Sequence, residues 1–551
     1  MDKKLKTLVN GITIMADEGI PVYELIKQAP HKGKLSPIGA IINVHLVGLA
    51  YNLRSPCTID TIDISSREGM DIYRRTASTI LYAAVKDVAQ NAKVVVGQSI
   101  SGGYFFEVYN HVVDDGFIDM LWKRMKEIVE EDIELKRKWI TVEEAMDLFR
   151  ENGEEDTFKF VSQLRRAEVP VVFLGRFIGY GHGPLAYKTG MIDKFEICPY
   201  EHGIVLNFPN ACGNLRCVRT NQPKLFATYL ESKRWNELIH IENVADLNEQ
   251  CIGRRGAEVV KVAEALHEKK ISQMADEIAS RKDARLVLIA GPSSSGKTTV
   301  SKRLSIQLKI HGLEPVSISM DNYYVDREKT PKHPDGSYNF ECIEALDLDL
   351  FNSHLEKLLD GKEIDAPVFS FNTGVRDPYR TTKMKLGKGQ VLITEGIHGL
   401  NDKLTQSVAA SRKYKIYVSA LTQLCLDNHN RIFTTDTRLC RRIIRDRLFR
   451  GTTAAKTIEG WASVRAGENK YIFPFQENAD VIFNSALPYE HSLLKPYAER
   501  FLAEVPRGDP AFMEAYRLAK FFSFFIPVLS REVPHNSILR EFIGGSAFSY
   551  A

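Results

Sequence analysis

The sequence predicts an α/β domain with a parallel sheet and helices on both faces, preceded by smaller α+β modules. Two observations predict the α/β domain. From residue 283 onward, short apolar runs alternate with stretches of helical periodicity, as is typical of a parallel sheet covered by crossover helices. A glycine-rich turn at residues 291–298 separates the first such run from the first such helix. Before residue 283, short β-type runs separated by turns predict the α+β modules.

The 551 residues are enough for several hydrophobic cores, and we divide them into five segments. Runs such as Ile12–Met15 and Ile41–Val44 indicate strands in the first segment, and Val94–Gly97 indicates one in the second. A charged amphipathic helix is predicted at Met120–Arg137. The segments are a small β-rich module (1–66), a larger α+β domain (67–241), a helical connector (242–282), the α/β domain (283–490) and a C-terminal helical tail (491–551).

The α/β domain contains five predicted strands and a helix that begins inside the glycine-rich turn. The helix is predicted at Lys297–His311. The strands are predicted at Leu286–Ala290, Pro315–Ser319, Val391–Thr394, Lys415–Val418 and Val481–Asn484.

Composition and charge exclude some classes of protein. The content of 44% hydrophobic and 26% charged residues is ordinary for a globular protein, and a net charge of +3 gives no global reason to expect a nucleic-acid partner. The longest apolar stretch, residues 39–51, is too short to span a bilayer. No secretory signal follows Met1, so we expect a cytoplasmic protein without a membrane contact. Cys212 and Cys217 lack a second pair at zinc-site spacing and are interpreted as buried thiols.

The glycine-rich turn reads G-P-S-S-S-G-K-T, the pattern of a phosphate-binding loop in its expected place between a strand and a helix. Its backbone N–H groups can surround a polyphosphate, Lys297 can reach the terminal phosphates, and the Thr298 hydroxyl can hold Mg²⁺. The alternative, a Gly/Ser-rich turn without a ligand, is disfavoured by the strand–helix context. The predicted ATP-binding residues are Gly291, Ser293, Ser294, Ser295, Gly296, Lys297, Thr298 and Thr299.

Two acidic residues follow predicted strands of the α/β domain. Asp321 comes after the second strand, where a carboxylate lies in the ligand crevice of such a fold and could accept a proton from a substrate hydroxyl. Taken alone, an aspartate in this place is more often a turn residue. Glu395 ends the strand Val391–Thr394 and is in the position of a carboxylate that serves a metal ion.

A basic helix face is the clearest helical feature downstream. Arg438, Arg441, Arg442 and Arg445 follow the spacing i, i+3, i+4, i+7 and therefore share one face. Four like charges on one face repel unless a polyanion lies opposite them, and phosphoryl transfer needs such a face. The alternative is a solvated basic face paired with local acids.

Together these motifs resemble the uridine/cytidine kinase branch of the phosphoribulokinase/uridine kinase family over residues 286–488. The residues that carry the resemblance are Asp321–Tyr324, Tyr338–Phe340 with Ala345–Asp347, Glu395–Ile397 and Arg438–Gly451. The resemblance implies Mg·ATP-dependent phosphorylation of a hydroxyl. It implies that Asp321 is the catalytic base, that Lys297, Arg441 and Arg445 contact the transferring phosphate, and that Thr298 and Glu395 serve Mg²⁺. The implied substrate-binding residues are Tyr324, Glu341, Arg376 and Arg438.

The chain departs from this family at two positions of the substrate site. Glu341 stands where the family has a ribose-binding aspartate, and Gly374 stands where it has a base-reading histidine. A site that loses a hydrogen-bond donor to the base loses discrimination between bases.

The N-terminal half resembles the TGS module and the editing domain of threonyl-tRNA synthetase over residues 1–210. The resemblance rests on Arg75–Leu81, on Val96-Gly97 with Gly102–Phe106, and on Gly181–Leu185. The family's H-x-x-x-H pair has become Arg75 and Thr79, and two catalytic positions of its C-x-G-P-H motif have become Gly181 and Leu185. Without those groups the editing chemistry is lost, so we interpret this half as a retired module kept for packing, assembly or substrate gating.

Three hypotheses for function follow. The first is an ATP-dependent uridine/cytidine-type nucleoside kinase that acts on a small molecule, and the second is a kinase of another polyol or sugar. The third is an ATP-switched RNA- or translation-associated binding protein. A homo-oligomer is left open. The apolar chain end at residues 536–546 is predicted to dock on a neighbouring domain or subunit, with a self-inserting regulatory tail as the alternative.

Overall fold

The computed structural model describes residues 4–100, 102–215, 221–332, 336, 338–370 and 373–550. The chain forms two compact units. Unit 1 comprises Met1–Asn221, Asn243–Asp246 and Leu424–Ile432, and unit 2 comprises Gln222–Glu242, Leu247–Gln423 and Phe433–Ala551. The finer division into five segments stays a prediction.

Unit 1 begins with a five-stranded sheet in the order β2-β1-β5-β3-β4. Strands β1 and β5 run parallel, and the other pairs are antiparallel. One face buries alternate residues such as Leu5, Val9 and Ile59 against the short helix α1. The elements are β1 (Lys4–Val9), β2 (Ile12–Asp17), α1 (Val22–Leu25), β3 (Gly39–Ile42), β4 (His45–Gly48) and β5 (Thr58–Ile62).

The rest of unit 1 contains a long helix and two further antiparallel sheets, in the orders β11-β12-β7-β6 and β10-β9-β8. The elements are α2 (Arg67–Val88), β6 (Lys93–Ile100), β7 (Gly103–Tyr109), α3 (Asp115–Glu130), β8 (Lys136–Thr141), α4 (Val142–Glu151), α5 (Glu155–Ser162), β9 (Glu168–Leu174), β10 (Phe177–Tyr180), β11 (Glu196–Tyr200) and β12 (Gly203–Asn207).

The helix predicted at Met120–Arg137 is wrong at its C-terminal end. Helix α3 stops at Glu130, and Arg137 lies in strand β8. Asp132 adopts a φ of +46°, which breaks the helix, and Trp139 and Ile140 then favour an extended chain. Because charged residues continue on both sides of this turn, the sequence pattern did not reveal where the helix ends.

Unit 2 is built on a five-stranded parallel sheet in the order β14-β17-β13-β18-β21, flanked by helices, so the predicted fold class is confirmed. Strands β19 and β20 belong to the segment Leu424–Ile432 of unit 1. The elements in chain order are α6 (Pro223–Leu238), α7 (Val244–Ile252), α8 (Gly256–Ser280), β13 (Leu286–Ala290), α9 (Lys297–Ile310), β14 (Glu314–Ser317), α10 (Leu348–Leu359), β15 (Ile364–Ser370), β16 (Val375–Met384), β17 (Gln390–Gly396), β18 (Lys413–Ser419), β19 (Cys425–Asp427), β20 (Asn430–Arg431), α11 (Thr434–Phe449), α12 (Ala454–Glu459), α13 (Trp461–Tyr471), β21 (Val481–Asn484), α14 (Glu490–Ala503), α15 (Phe512–Phe522) and α16 (Arg540–Ile543).

The central strand β13 fixes the place of the candidate site. All five of its residues are buried, as expected for a strand covered on both faces. Strand β17 pairs with it in parallel, with Ile289 opposite Glu395 and Ala290 opposite Gly396. The carboxyl ends of β13 and β17 therefore lie side by side, and the glycine-rich turn starts beside Glu395.

The structure bears on two expectations from the composition, one about membrane-spanning helices and one about the cysteines. In the part of the chain that the structure describes, no helix is both long and apolar enough to cross a membrane. Cys212 is exposed, so its interpretation as a buried thiol is wrong, and Cys217 lies outside the described residues.

Candidate active site

The turn after β13 has the backbone shape of a phosphate cradle. Ser294 and Gly296 both adopt left-handed φ angles, +59° and +87°, and Gly296 is the N-cap of α9. A Cβ added to Gly291 would lie 2.0 Å from the carbonyl oxygen of Val418, so only glycine fits there. The side-chain hydroxyls of Ser294 and Ser295 are buried without a hydrogen-bond partner among the described residues. Unused buried donors beside a helix N-terminus are suited to an anion.

Lys297 supplies the positive charge of this cradle. Its Nζ donates to the carbonyl oxygen of Pro292 at 3.1 Å. Burial lowers the pKa of the Lys297 ammonium, and the carboxylates of Glu395 and Glu541 act in the opposite direction. A half-buried cation whose charged form two nearby carboxylates favour is placed to pair with a polyphosphate.

Thr298 and Glu395 form a pair of oxygen donors at the carboxyl edge of the sheet. The Thr298 hydroxyl donates to Glu395 Oε1 at 3.0 Å, and Glu395 Oε2 is buried without a hydrogen-bond partner among the described residues. Burial raises the pKa of Glu395, and Lys297 opposes the shift. No group of three or more His, Cys, Asp or Glu side chains in the described chain could hold a metal ion. A hydroxyl and one carboxylate nevertheless fit Mg²⁺, which takes few protein oxygens when phosphates complete its shell.

Asp321 lies in a 3₁₀ turn at Met320–Tyr323, after strand β14. Its carboxylate reaches solvent, yet protein surrounds it on the other sides, and this partial burial raises its pKa while Lys297 lowers it. Lys297 is thus near enough to lower the pKa of Asp321, although the two residues are 24 positions apart in the sequence.

Tyr324 and Glu341 belong to the same electrostatic environment. The Tyr324 hydroxyl donates to the carbonyl oxygen of Phe340 at 3.1 Å, and burial together with the charges of Asp321 and Glu341 raises its pKa. Burial also raises the pKa of Glu341, which Arg442 and Lys297 oppose. The structure therefore brings Asp321, Tyr324 and Glu341 together near Lys297.

Arg438 and Arg441 are buried and already paired. Arg438 binds both carboxylate oxygens of Glu468 and donates to the Ser293 carbonyl at 3.2 Å. Arg441 binds both carboxylate oxygens of Glu490 and donates to the Ser294 carbonyl at 3.4 Å. The anions opposite these two arginines are thus glutamates of the chain, and both guanidinium groups brace the phosphate-binding loop.

The remaining arginines have different partners. Arg442 donates to the Ser293 hydroxyl at 2.8 Å, while Arg445 pairs with Asp446. Arg376 donates to the carbonyl oxygens of Tyr323 and Tyr324 and pairs with Asp347, so it holds the turn that carries Asp321. Direct substrate binding by Arg376, and the roles of the other named residues, stay predictions.

Sequence reasoning missed the acids that complete this site. Glu468 is buried and accepts from Arg438, Arg465 and the Ser293 N–H. The i,i+3 spacing of Arg465 and Glu468 could have indicated a paired helix face. Glu490 is just beyond strand β21 and Glu541 is near the chain end, and nothing local in the sequence connects them to the loop.

In unit 1, the positions of the lost editing motifs serve packing. Arg75 donates to the carbonyl oxygen of Pro184 at 2.7 Å, and its guanidinium fills the space beside Gly183. The Thr79 hydroxyl donates to a carbonyl of its own helix at 3.0 Å. Gly181 accepts from Arg137 at 3.0 Å, and Leu185 is buried. These four positions carry no acid, base or metal ligand.

Comparisons with known proteins agree with both resemblances. Residues 286–490 match the phosphoribulokinase / uridine kinase family. A uridine kinase of Anoxybacillus flavithermus is 30% identical over 203 residues, which cover 37% of this chain and 86% of that protein. A threonine–tRNA ligase of Natranaerobius thermophilus is 31% identical over 188 residues, 34% of this chain. The chain spans about 30% of the length of that ligase.

A solved structure of a possible uridine kinase from Bacillus stearothermophilus is 18% identical to this chain. It matches with a TM-score of 0.26 and covers 39% of this chain and 99% of the solved chain.

Proposed function

Because the chain belongs to the phosphoribulokinase / uridine kinase family, we propose that it transfers the γ-phosphoryl group of ATP to a hydroxyl of a uridine- or cytidine-type nucleoside. The observation that carries the proposal is the set formed by Lys297, the Thr298–Glu395 pair and Asp321 at one edge of a parallel sheet. Cation, metal donors and base are the parts that phosphoryl transfer needs.

Each residue has a definite part in the proposed reaction. The loop from Gly291 to Thr299 binds the phosphates with its N–H groups, and Lys297 neutralises charge on the transferring group. Asp321 accepts the proton of the acceptor hydroxyl and orients its oxygen for in-line attack. Arg438 and Arg441 hold the loop in shape through the Ser293 and Ser294 carbonyls. Arg442 and Arg445 both pair with Asp446 and are more exposed than Arg438 and Arg441, so we assign these two arginines to the substrate side.

Thr298 and Glu395 would hold Mg²⁺. When bound, Mg²⁺ would supply positive charge that offsets the charge of the phosphates. The oxygen available to it is Oε2 of Glu395, which has no hydrogen-bond partner within the described parts of the chain.

A second candidate, a kinase of a non-nucleoside polyol or sugar, is favoured by the substrate side. Glu341 offers a half-buried carboxyl that suits hydroxyl donors. Gly374 has Arg327 against it: a Cβ on Gly374 would lie 2.6 Å from Arg327 Nε. Gly374 also adopts a φ of +74°, which a histidine rarely adopts, so a histidine at this position would strain the backbone and displace the Arg327 side chain, and this supports a changed acceptor pocket. The third candidate, an ATP-switched RNA- or translation-associated binding protein, is motivated by the ligase-like half.

A substrate panel tests these candidates. The purified chain is incubated with Mg·ATP and with nucleosides, pentoses or cyclitols, and products are identified by mass. Uridine or cytidine monophosphate as the main product is the expected result. Turnover with a pentose or cyclitol alone would replace it with the second candidate. ATP binding without turnover on any acceptor would favour the third.

A further inference from the structure

The last residues of the chain pack on the phosphate-binding loop of their own unit. The tail segment, defined here as residues 537–550, contains the short helix α16. Ile538 lies against Gly296: a Cβ on that glycine would be 2.5 Å from Ile538 Cγ2. Ile538, Leu539 and Phe542 are fully buried, so the tail segment is part of the fold.

Two polar groups of the tail segment bind the first turn of α9. The hydroxyl of Thr299 donates to Glu541 Oε2 at 2.7 Å, and it lies 2.9 Å from the hydroxyl of Tyr550. Thr299 has no exposed surface. The hydroxyl of Thr299, one of the predicted ATP-binding residues, is therefore fully engaged by the chain end.

The tail segment is held in this position by further contacts. The Arg441 guanidinium lies 5.1 Å from the centroid of the Phe542 ring. Arg540 donates to the carbonyl oxygens of Ser530 and Val533, both at 2.7 Å, and Ser546 lies 3.0 Å from the Tyr550 hydroxyl. These bonds fix where Glu541 and Tyr550 lie.

Glu541 brings a negative charge to the first turn of α9. The first turn of a helix after a phosphate-binding loop attracts anions through its free N–H groups and its dipole. Glu541 is an anion on this turn, and its charge acts on both Lys297 and Glu395. A phosphate group brought to the same turn would meet like charge in a site largely shielded from water, where charge repulsion is strong.

We propose that the tail segment is an autoinhibitory plug, in which Glu541 occupies the anion position on α9 and must withdraw before a nucleoside triphosphate binds fully. This inference rests on the proposed function, because it takes the loop to be a triphosphate site. Withdrawal requires the exchange of the Thr299–Glu541 and Thr299–Tyr550 hydrogen bonds for bonds to phosphate. The covalent structure does not change.

The affinity of the full chain for Mg·ATP tests the plug. Glu541→Gln keeps the size and hydrogen-bonding capacity of the side chain and removes its charge. We expect it to lower the Kd for Mg·ATP by about threefold to tenfold in calorimetric titration. Tyr550→Phe removes one hydroxyl contact and should lower the Kd less. Glu532→Gln is the matched control: it removes the same charge from the same part of the chain, outside the tail segment, and should leave the Kd unchanged.

Hydrogen exchange of the wild-type chain gives an independent measurement. Saturating Mg·ATP should speed amide exchange in residues 537–550 while it slows exchange in residues 291–299. An unchanged or weaker affinity of Glu541→Gln, or slower exchange of the tail segment with Mg·ATP, would overturn the plug. Both readouts are binding readouts, so a chain that binds ATP but phosphorylates no acceptor would defeat the proposed kinase function and leave this test intact.

Discussion

The two units differ sharply in the side chains at the positions that the sequence analysis singled out. In unit 2, the edge of the parallel sheet retains a lysine, a threonine–glutamate pair and an aspartate with unused polar atoms among them. In unit 1, the positions that frame an editing pocket in the resembled family hold Arg75, Thr79, Gly181 and Leu185, and their contacts are those of packing. Similarity of chain fold is therefore a weaker guide to chemistry than the side chains at a few positions.

Within unit 2, too, the role of a cation depends on its partners in the folded chain. Arg438 and Arg441 look in the sequence like a phosphate clamp, and the structure pairs each with a buried glutamate. Among the residues that the structure describes, the Pro292 carbonyl oxygen, at 3.1 Å, is the one hydrogen-bond acceptor of Lys297. The comparison thus separates Arg438 and Arg441, which support the loop, from Lys297, which is placed for the ligand.

The largest effect is expected at the ligand-facing cation. Lys297→Met should lower kcat/KM by about 10³-fold or more, because the transferring phosphoryl group loses its main protein charge. Steady-state kinetics measures the loss. The control is Lys309→Met, which removes an exposed cation from the same helix. If Lys297→Met kept activity within tenfold of the wild type, the distinction between a ligand-binding Lys297 and the loop-supporting arginines would be wrong.

A supporting arginine should affect stability first. Arg438→Met leaves the buried Glu468 with one remaining ion-pair partner, Arg465, and with the Ser293 N–H, so we expect the free energy of unfolding to fall by up to about 3 kcal/mol. Chemical denaturation followed by circular dichroism measures the change. Arg447→Met, on the same helix but in an exposed pair with Glu504, should cost about 0–1 kcal/mol. If Arg438→Met reduced turnover with unfolding unchanged, Arg438 would be a substrate clamp after all.

The pH dependence of kcat/KM tests the roles of the Asp321 and Glu395 carboxylates. Asp321 and Glu395 must be ionised in the proposed reaction, and burial raises the pKa of both above the ordinary values of 3.8 and 4.5. Because their pKa values are raised, both carboxylates become protonated, and so inactive, at a higher pH than carboxylates exposed to water. We expect kcat/KM to fall on the acid side with a midpoint above 4.5, up to about tenfold per pH unit. Activity that stays constant below that value would contradict the role of these groups.

The smallest effects are expected in unit 1. Arg75→Ala should destabilise unit 1 by about 1–2 kcal/mol, because the Pro184 carbonyl loses its donor. Phosphoryl transfer by the same variant should stay within twofold of the wild type. Thr79→Val removes only a bond inside its own helix and should change stability by less than about 0.5 kcal/mol. A large loss of kinase activity from either substitution would show that the unit 1 positions are not limited to packing.

The sequence predicted those parts of the fold that depend on local pattern. Strand β13 and strand β21 begin and end where the apolar runs do, and helix α9 starts at Lys297 as predicted. The phosphate-binding loop needed only its glycines and its place between a strand and a helix. Helix α3 failed at its end, since charged residues continue past the turn at Asp132.

The rest of the site depends on contacts between distant residues. Glu468 reaches Arg438, Glu490 reaches Arg441, and Glu541 reaches Thr299, across 30, 49 and 242 positions of the chain. No periodicity or motif reports such pairs. The alternative of a self-inserting tail was visible only as an apolar chain end, and its target could not be read from residues 536–546.

The central claim is that the chemistry lies at the edge of the unit 2 sheet, with Asp321 as the base. The most direct test compares wild type, Asp321→Asn and the exposed control Asp365→Asn, with kcat for phosphoryl transfer and Kd for Mg·ATP measured on each. Asp321→Asn should lower kcat by about 10²–10⁴-fold and leave the Kd within about twofold, and Asp365→Asn should change neither. A kcat for Asp321→Asn close to that of the wild type would contradict the assignment of the base.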